Sequence, residues 1–161
     1  RTGTLDPSVV TYICDKENLS GHEMSELFNK KSGVLGISGV SSDERDIEKA
    51  IGEGNERAKL AREMLCYQIT KFVGGYIAAL GGLDAIVFTA GIGENSSAFR
   101  KRVLDRIKVL GIEYDEELIK IRKQEIEIST PNSKIKVFVI PTNEELAIAR
   151  DVVRLKSENN K

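Results

Sequence analysis

The sequence predicts an α/β domain that is helix-rich with a short parallel sheet. Two observations carry this. Helical periodicity dominates most of the 161 residues, while two short apolar runs, Asp84–Thr89 and Lys134–Ile140, have the composition of strands. Each run is followed at once by a helical pattern, the order that buries strands beneath helices. Two strands cannot make a well-covered sheet, so further strands are expected outside this chain. No internal repeat, linker or low-complexity segment divides it, and 1–161 reads as a single, incomplete domain.

Asp6 and Pro7 open the first helix as N-cap and first helical residue. A second helix is expected from His22 to Lys31, then a loop over Ser32–Val40, where glycine and serine punctuate small apolar residues. Ser41 and Glu44 have capping-box spacing and should start a short helix ending near Gly52 or Gly54. The longest helix should run from Glu56 to about Leu80. Ala61, Met64, Leu65, Gln68, Ile69, Phe72, Val73, Tyr76 and Ile77 form its apolar stripe, expected to pack under a sheet, with a subunit interface as the alternative. Gly74 and Gly75 inside it each cost roughly 1 kcal/mol relative to alanine, which close approach of another backbone would offset. Gly81-Gly82 stops the helix, and Asp84–Thr89 reads as a buried parallel strand. Helices follow over Ser96–Leu110 and Glu116–Lys123, then the second strand, and Asn143 to about Lys156 forms the last helix.

Bulk composition excludes several functions. With 24 Lys+Arg against 25 Asp+Glu the net charge is −1, so no bulk field draws nucleic acid or anionic lipid. No apolar run is long enough to span a bilayer and no signal-peptide pattern opens the chain, which reads as cytoplasmic. Cys14 and Cys66 read as buried thiols, although a disulfide is compatible with their number. The lone His22 reads as a surface residue with no nucleophile motif beside it. The chain opens on Arg1 without an initiator Met, as a fragment would.

Chemistry gathers where strands meet helices. In Phe88-Thr89-Ala90-Gly91-Ile92-Gly93-Glu94-Asn95 a strand breaks into a glycine turn before a helix. Gly91 and Gly93 would allow positive φ and close backbone approach, with free N–H groups offered to an anion. Ser96 stands where a dinucleotide fingerprint needs its third glycine, and no Gly-Lys-Ser/Thr follows, so a nucleotide loop and a structural turn both fit. After the second strand, Thr142 and Glu145 have capping-box spacing, and the acidic pair Glu144-Glu145 is either a helix cap or a Mg²⁺ carboxylate at the sheet edge. Asp43-Glu44-Arg45 is either a solvated first turn or a set for ribose hydroxyls and a purine face.

Together these segments resemble the acetate kinase (acetokinase) family across essentially the whole chain. Arg1-Thr2-Gly3-Thr4-Leu5-Asp6-Pro7, Asn29–Gly36, Glu53-Gly54-Asn55 with Ala58, Phe88–Asn95 and Pro141–Glu145 carry the likeness, in the family's order. The resemblance implies the C-terminal portion of a ribonuclease-H-like (actin-like ATPase) domain whose first strands lie outside the chain. It implies reversible phosphoryl transfer between ATP and acetate, giving acetyl phosphate and ADP, with Mg²⁺ and in a homodimer. It assigns Arg1 to charge on the transferring phosphoryl group, and Asp43, Glu44 and Arg45 to the adenosine pocket. Gly91, Ile92, Gly93, Glu94 and Asn95 become the second nucleotide loop, and Glu144 the Mg²⁺ carboxylate. Propionate kinases look much the same over these motifs, and a non-catalytic nucleotide-binding or dimerisation module is the alternative from another class. The acetate pocket and first phosphate loop are expected outside the chain, so alone it should be inactive. Ala90 stands where the family commonly has glycine, a change expected to matter little if residue 90 keeps negative φ.

Overall fold

The computed structural model describes residues 1–158 and divides into two compact units, Arg1–Phe72 and Val73–Lys161, with the boundary inside one long helix.

In the first unit, Asp6 caps α1 (Pro7–Glu17), its carboxylate accepting from the Ser8 amide at 2.8 Å. Ser20 and Glu23 form a reciprocal capping box at α2 (Gly21–Glu26). The helix expected to run on to Lys31 loosens there into a π-helical turn, Leu27–Lys31. Where a loop was expected, Gly33–Ser38 forms α3. Its glycines act as punctuation at the ends: Gly33 at φ 60° admits the chain and Gly39 at φ 69° closes the last turn.

At α4 (Glu44–Gly52) the capping residue is Asp43, which accepts from the Arg45 amide, and the expected Ser41–Glu44 box does not form. Ser41 accepts from Asp43 N, and the Glu44 carboxylate turns to Arg62. Ile47, Ala50 and Ala58 make a small core with Val34 and Ile51. Helix α5 spans Glu56–Leu80 as expected, but the phase of its buried stripe differs. Ala58, Ala61, Arg62 and Cys66 are buried, whereas Met64, Phe72 and Tyr76 are 44%, 51% and 63% exposed. Most of the expected stripe is therefore not buried among the described residues. Both cysteines are free thiols, Cys66 buried as expected and Cys14 only half-buried.

In the second unit, β1 (Ala85–Phe88) pairs in parallel with β3 (Lys136–Val139), Phe88 opposite Val139. A two-residue strand, β2 (Ile126–Glu127), adds antiparallel to the far side of β3, so the sheet is mixed, in order β1-β3-β2. Only Phe88 of β1 is buried and Val87 is 49% exposed, against the expectation of a strand buried throughout.

Between β1 and β3 come α6 (Ala90–Asn95) and α7 (Ser97–Arg106), the latter capped by Ser96. Helix α7 stops short of Leu110 and yields to a 3₁₀ turn closed by Gly111 at φ 81°. The helix expected over Glu116–Lys123 is one 3₁₀ turn, Leu118–Lys120. Arg100 favours the short form: its guanidinium takes the carbonyls of Ile119 and Ile121, and the first of these is one a helix running to Lys123 would pair with the Lys123 amide. Phe99, Val103, Leu104, Ile119, Ile128 and Val137 are buried in the same unit. Helix α8 (Glu144–Glu158) is capped by Asn143, which accepts from Leu146 N at 2.9 Å. The expected Thr142–Glu145 box is absent because Thr142 bonds elsewhere. No residue of α8 is buried, and no helix among the described residues is long and apolar enough to cross a membrane.

Candidate functional site

The two strand–helix junctions lie side by side because β1 and β3 are parallel neighbours and their C-terminal ends share one sheet edge. In the first junction the positive φ falls on Ala90, at 58°, whereas neither Gly91 nor Gly93 adopts one. Gly93 serves packing instead. A Cβ there would lie 3.3 Å from the Phe88 carbonyl carbon, a tight contact that glycine avoids where α6 sits against the end of β1. Gly91 is exposed with open space around it, and Ile92 is half-buried. Asn95 turns inward along the helix, its amide donating to Gly91 O at 2.8 Å.

Glu94 is 9% exposed, and its Oε1 accepts from both the Thr142 amide at 2.8 Å and the Thr142 hydroxyl at 3.0 Å. The Thr142 amide, more than its partial burial, holds the Glu94 carboxyl below its usual value, so it stays ionised. Arg100, fully buried, grips the other end of the same helix. Its Nη1 donates to Gly93 O at 2.7 Å and Glu94 O at 2.9 Å. Burial, and to a lesser degree Arg122, pulls the Arg100 guanidinium below its usual value. Neither Arg100 nor Thr142 stands out as a site residue from sequence, though an arginine beside Phe99, Val103 and Leu104 in an apolar stripe was a signal.

Glu144 stands exposed in the first turn of α8, and among the described residues its carboxylate has no hydrogen bond or ion pair. No group of three His, Cys, Asp or Glu side chains able to hold a metal occurs among the described residues. A single free carboxylate fits Mg²⁺, which keeps several waters and takes other oxygens from phosphate, better than it fits a metal needing a protein cage.

The other sequence-predicted residues lie in the first unit. Arg1 is exposed at the rim of a cleft of about 510 Å³ lined by Val34, Ile37, Met64, Leu65 and Phe72. A second hollow of about 420 Å³ brings Arg1 together with Asn29, Lys30 and Ser42. Gly33 fixes this end of the chain: a Cβ there would stand 2.0 Å from the Arg1 carbonyl oxygen. Asp43 holds Arg45 in a fork, with Nε at 3.0 Å and Nη2 at 2.6 Å. That guanidinium, with the Arg45 amide, pulls the Asp43 carboxyl down to about 2. Glu44 is ion-paired to Arg62, a buried arginine on α5 that sequence reading did not single out. The structure thus joins Asp43 to Arg45 and Glu94 to the segment carrying Glu144, while Arg1 and the Asp43 group belong to one unit and Gly91–Asn95 and Glu144 to the other.

A short mixed sheet with strand–turn–helix junctions at the carboxyl end of its parallel pair is part of an actin-like ATPase fold. Residues 1–150 match the model of the acetokinase family, and the chain belongs to that family. It is 60% identical over 151 residues to an acetate kinase of Methanosarcina barkeri, covering 94% of this chain and 37% of that protein. The crystal structure of an acetate kinase from Porphyromonas gingivalis superposes with a TM-score of 0.87 at 50% identity, over 96% of this chain and 39% of that one. A propionate kinase from Francisella tularensis gives 0.83 at 40% identity, over 92% and 38%. The chain therefore spans about two fifths of the length of the relatives it matches.

Proposed function

We propose that this chain is the C-terminal part of an acetate kinase nucleotide-binding domain. In the complete polypeptide it serves Mg²⁺-dependent transfer between ATP and acetate. In the forward direction an acetate oxygen attacks the γ-phosphorus, the bond to the β-phosphate oxygen breaks, and acetyl phosphate and ADP leave. The protein's share is positioning and charge stabilisation. Arg1 offers a permanently charged planar fork to the equatorial oxygens of the phosphoryl group. Asp43 and Arg45 meet the adenosine as a pre-formed pair, with Glu44 braced by Arg62 beside them. Gly91, the open residue of its loop, lets the phosphates approach the backbone, with Ile92, Gly93, Glu94 and Asn95 shaping that loop. Glu144 holds Mg²⁺, which when bound neutralises charge on the phosphate oxygens.

The observation that carries this reading is the family match over nearly the whole chain, and the unpaired carboxylate of Glu144 just beyond the carboxyl end of the parallel strand pair supports it. The likeness to a propionate kinase keeps propionate as the second acceptor. A cytoplasmic homodimer completes the proposal. The test compares Glu144→Ala with Glu145→Ala in the complete polypeptide. Glu144→Ala should lower Mg²⁺-dependent turnover by about a hundredfold or more, whereas Glu145→Ala, a first-turn acid, should cost at most about 1 kcal/mol of stability. Equal losses at matched stability would overturn the assignment, and comparing acetate with propionate decides the acceptor.

A further inference from the structure

We propose that Glu94 is a positioning residue. Its carboxylate latches the start of α8, and with it Glu144, to the Gly91–Asn95 helix, and it is not itself a ligand of the nucleotide. The role of Glu144 in this proposal rests on the function proposed above; the latch itself does not.

The geometry follows the chain. The parallel pairing of β1 with β3 ends where Ile140 N donates to Phe88 O at 2.9 Å. Pro141 comes next and has no N–H to give. Thr142 therefore carries the first free amide past the sheet edge, and it points its N–H and its hydroxyl at the same oxygen of Glu94. Among the described residues these are the only hydrogen bonds joining residues 89–95 to residues 141–146. Thr142 is not needed as a helix cap, because Asn143 fills that place.

The anchor on the other side is rigid. Arg100 holds the carbonyls of Gly93 and Glu94, and Gly93 rests against the backbone of Phe88. The Glu94 side chain thus projects from a helix that has little room to shift, and its charge is satisfied by two donors instead of facing solvent. A carboxylate so committed does little for a phosphate, which it would repel. Fixing Glu144, two residues beyond Thr142, is what the arrangement does.

The test uses Glu94→Ala, Glu94→Gln and Thr142→Val in the complete polypeptide. Amide hydrogen exchange of residues 142–146 should quicken by about tenfold in Glu94→Ala and return toward wild type in Glu94→Gln, whose amide oxygen still accepts. Glu94→Ala should raise the Mg²⁺ concentration for half-maximal rate by about tenfold and leave the KM for the carboxylate acceptor unmoved. Thr142→Val should shift the same parameter in the same direction, and the double variant should be no worse than Glu94→Ala. Unchanged exchange in Glu94→Ala overturns the latch. A raised KM for ATP at saturating Mg²⁺ in Glu94→Ala, with Thr142→Val silent, overturns it in favour of direct nucleotide contact. Quickened exchange in a protein that turns over no ATP upholds the latch and overturns the functional reading.

Discussion

Ala90 carries a positive φ of 58° and a Cβ that this conformation disfavours. The condition under which alanine would be harmless at this position is therefore not met. The strain is held because Phe88 is paired to β3 on one side and α6 is pinned by Arg100 on the other. Ala90→Gly should relieve it and raise stability by about 0.5–1 kcal/mol, after the extra entropy glycine brings to the unfolded chain is subtracted. A denaturant midpoint that falls would show the left-handed turn to be unstrained. Glu94 gives a second prediction at this scale. Its folded pKa lies below the usual 4.5, so its contribution to stability is complete above that value and is lost as pH falls through the folded value. The stability difference between wild type and Glu94→Gln should be constant near neutrality and shrink on acidification below 4.5. A difference that grows on acidification would mean the carboxyl is held in its neutral form.

Among elements, the unexpected control is Arg100, which satisfies the terminal carbonyls of Gly93 and Glu94 in α6 and also takes those of Ile119 and Ile121. Arg100→Met keeps much of the apolar stem but orphans buried carbonyls, and should cost about 3 kcal/mol in chemical denaturation. A loss below about 1 kcal/mol would mean water replaces the guanidinium without penalty. The same residue shows what the sequence could and could not disclose. Local chemistry was legible: Asp6-Pro7 at α1, the extent of α5, and β1 and β3 all follow from capping and composition. Features set by distant partners were not. The 118–120 turn gives its carbonyls to an arginine some 20 residues earlier, and α3 hides behind Gly33 and Gly39, which read as loop but are helix punctuation. The expected stripe of α5 shares only Ala61 with the buried face, which otherwise runs through Ala58, Arg62 and Cys66, small or charged residues that periodicity discounts. Within the site, motif likeness picked out Asp43, Arg45 and Glu94, but the bonds joining Asp43 to Arg45 and Glu94 to Thr142 emerge only in three dimensions.

For the whole molecule, the exposed face of α5 bears on assembly. Phe72, Tyr76 and Leu80 recur at helical spacing and are 51%, 63% and 74% exposed. Gly74 and Gly75 lie among them, and a Cβ on either would meet open space in this chain. The roughly 1 kcal/mol that each glycine costs an isolated helix is thus not repaid by any neighbour among the described residues. Close approach of a second copy would repay it. A two-fold contact there brings the same patch from both copies and should bury at least about 1,000 Å². Gly75→Leu separates the possibilities. In a lone chain it improves helix propensity by about 1 kcal/mol at no steric cost, whereas across a tight helix pair it forces the backbones apart. Sedimentation at micromolar concentration should therefore give a discrete two-copy species for wild type and a more stable monomer for Gly75→Leu. A wild-type monomer, or a ladder of larger species driven by exposed apolar surface, would place the dimer contact elsewhere or remove it.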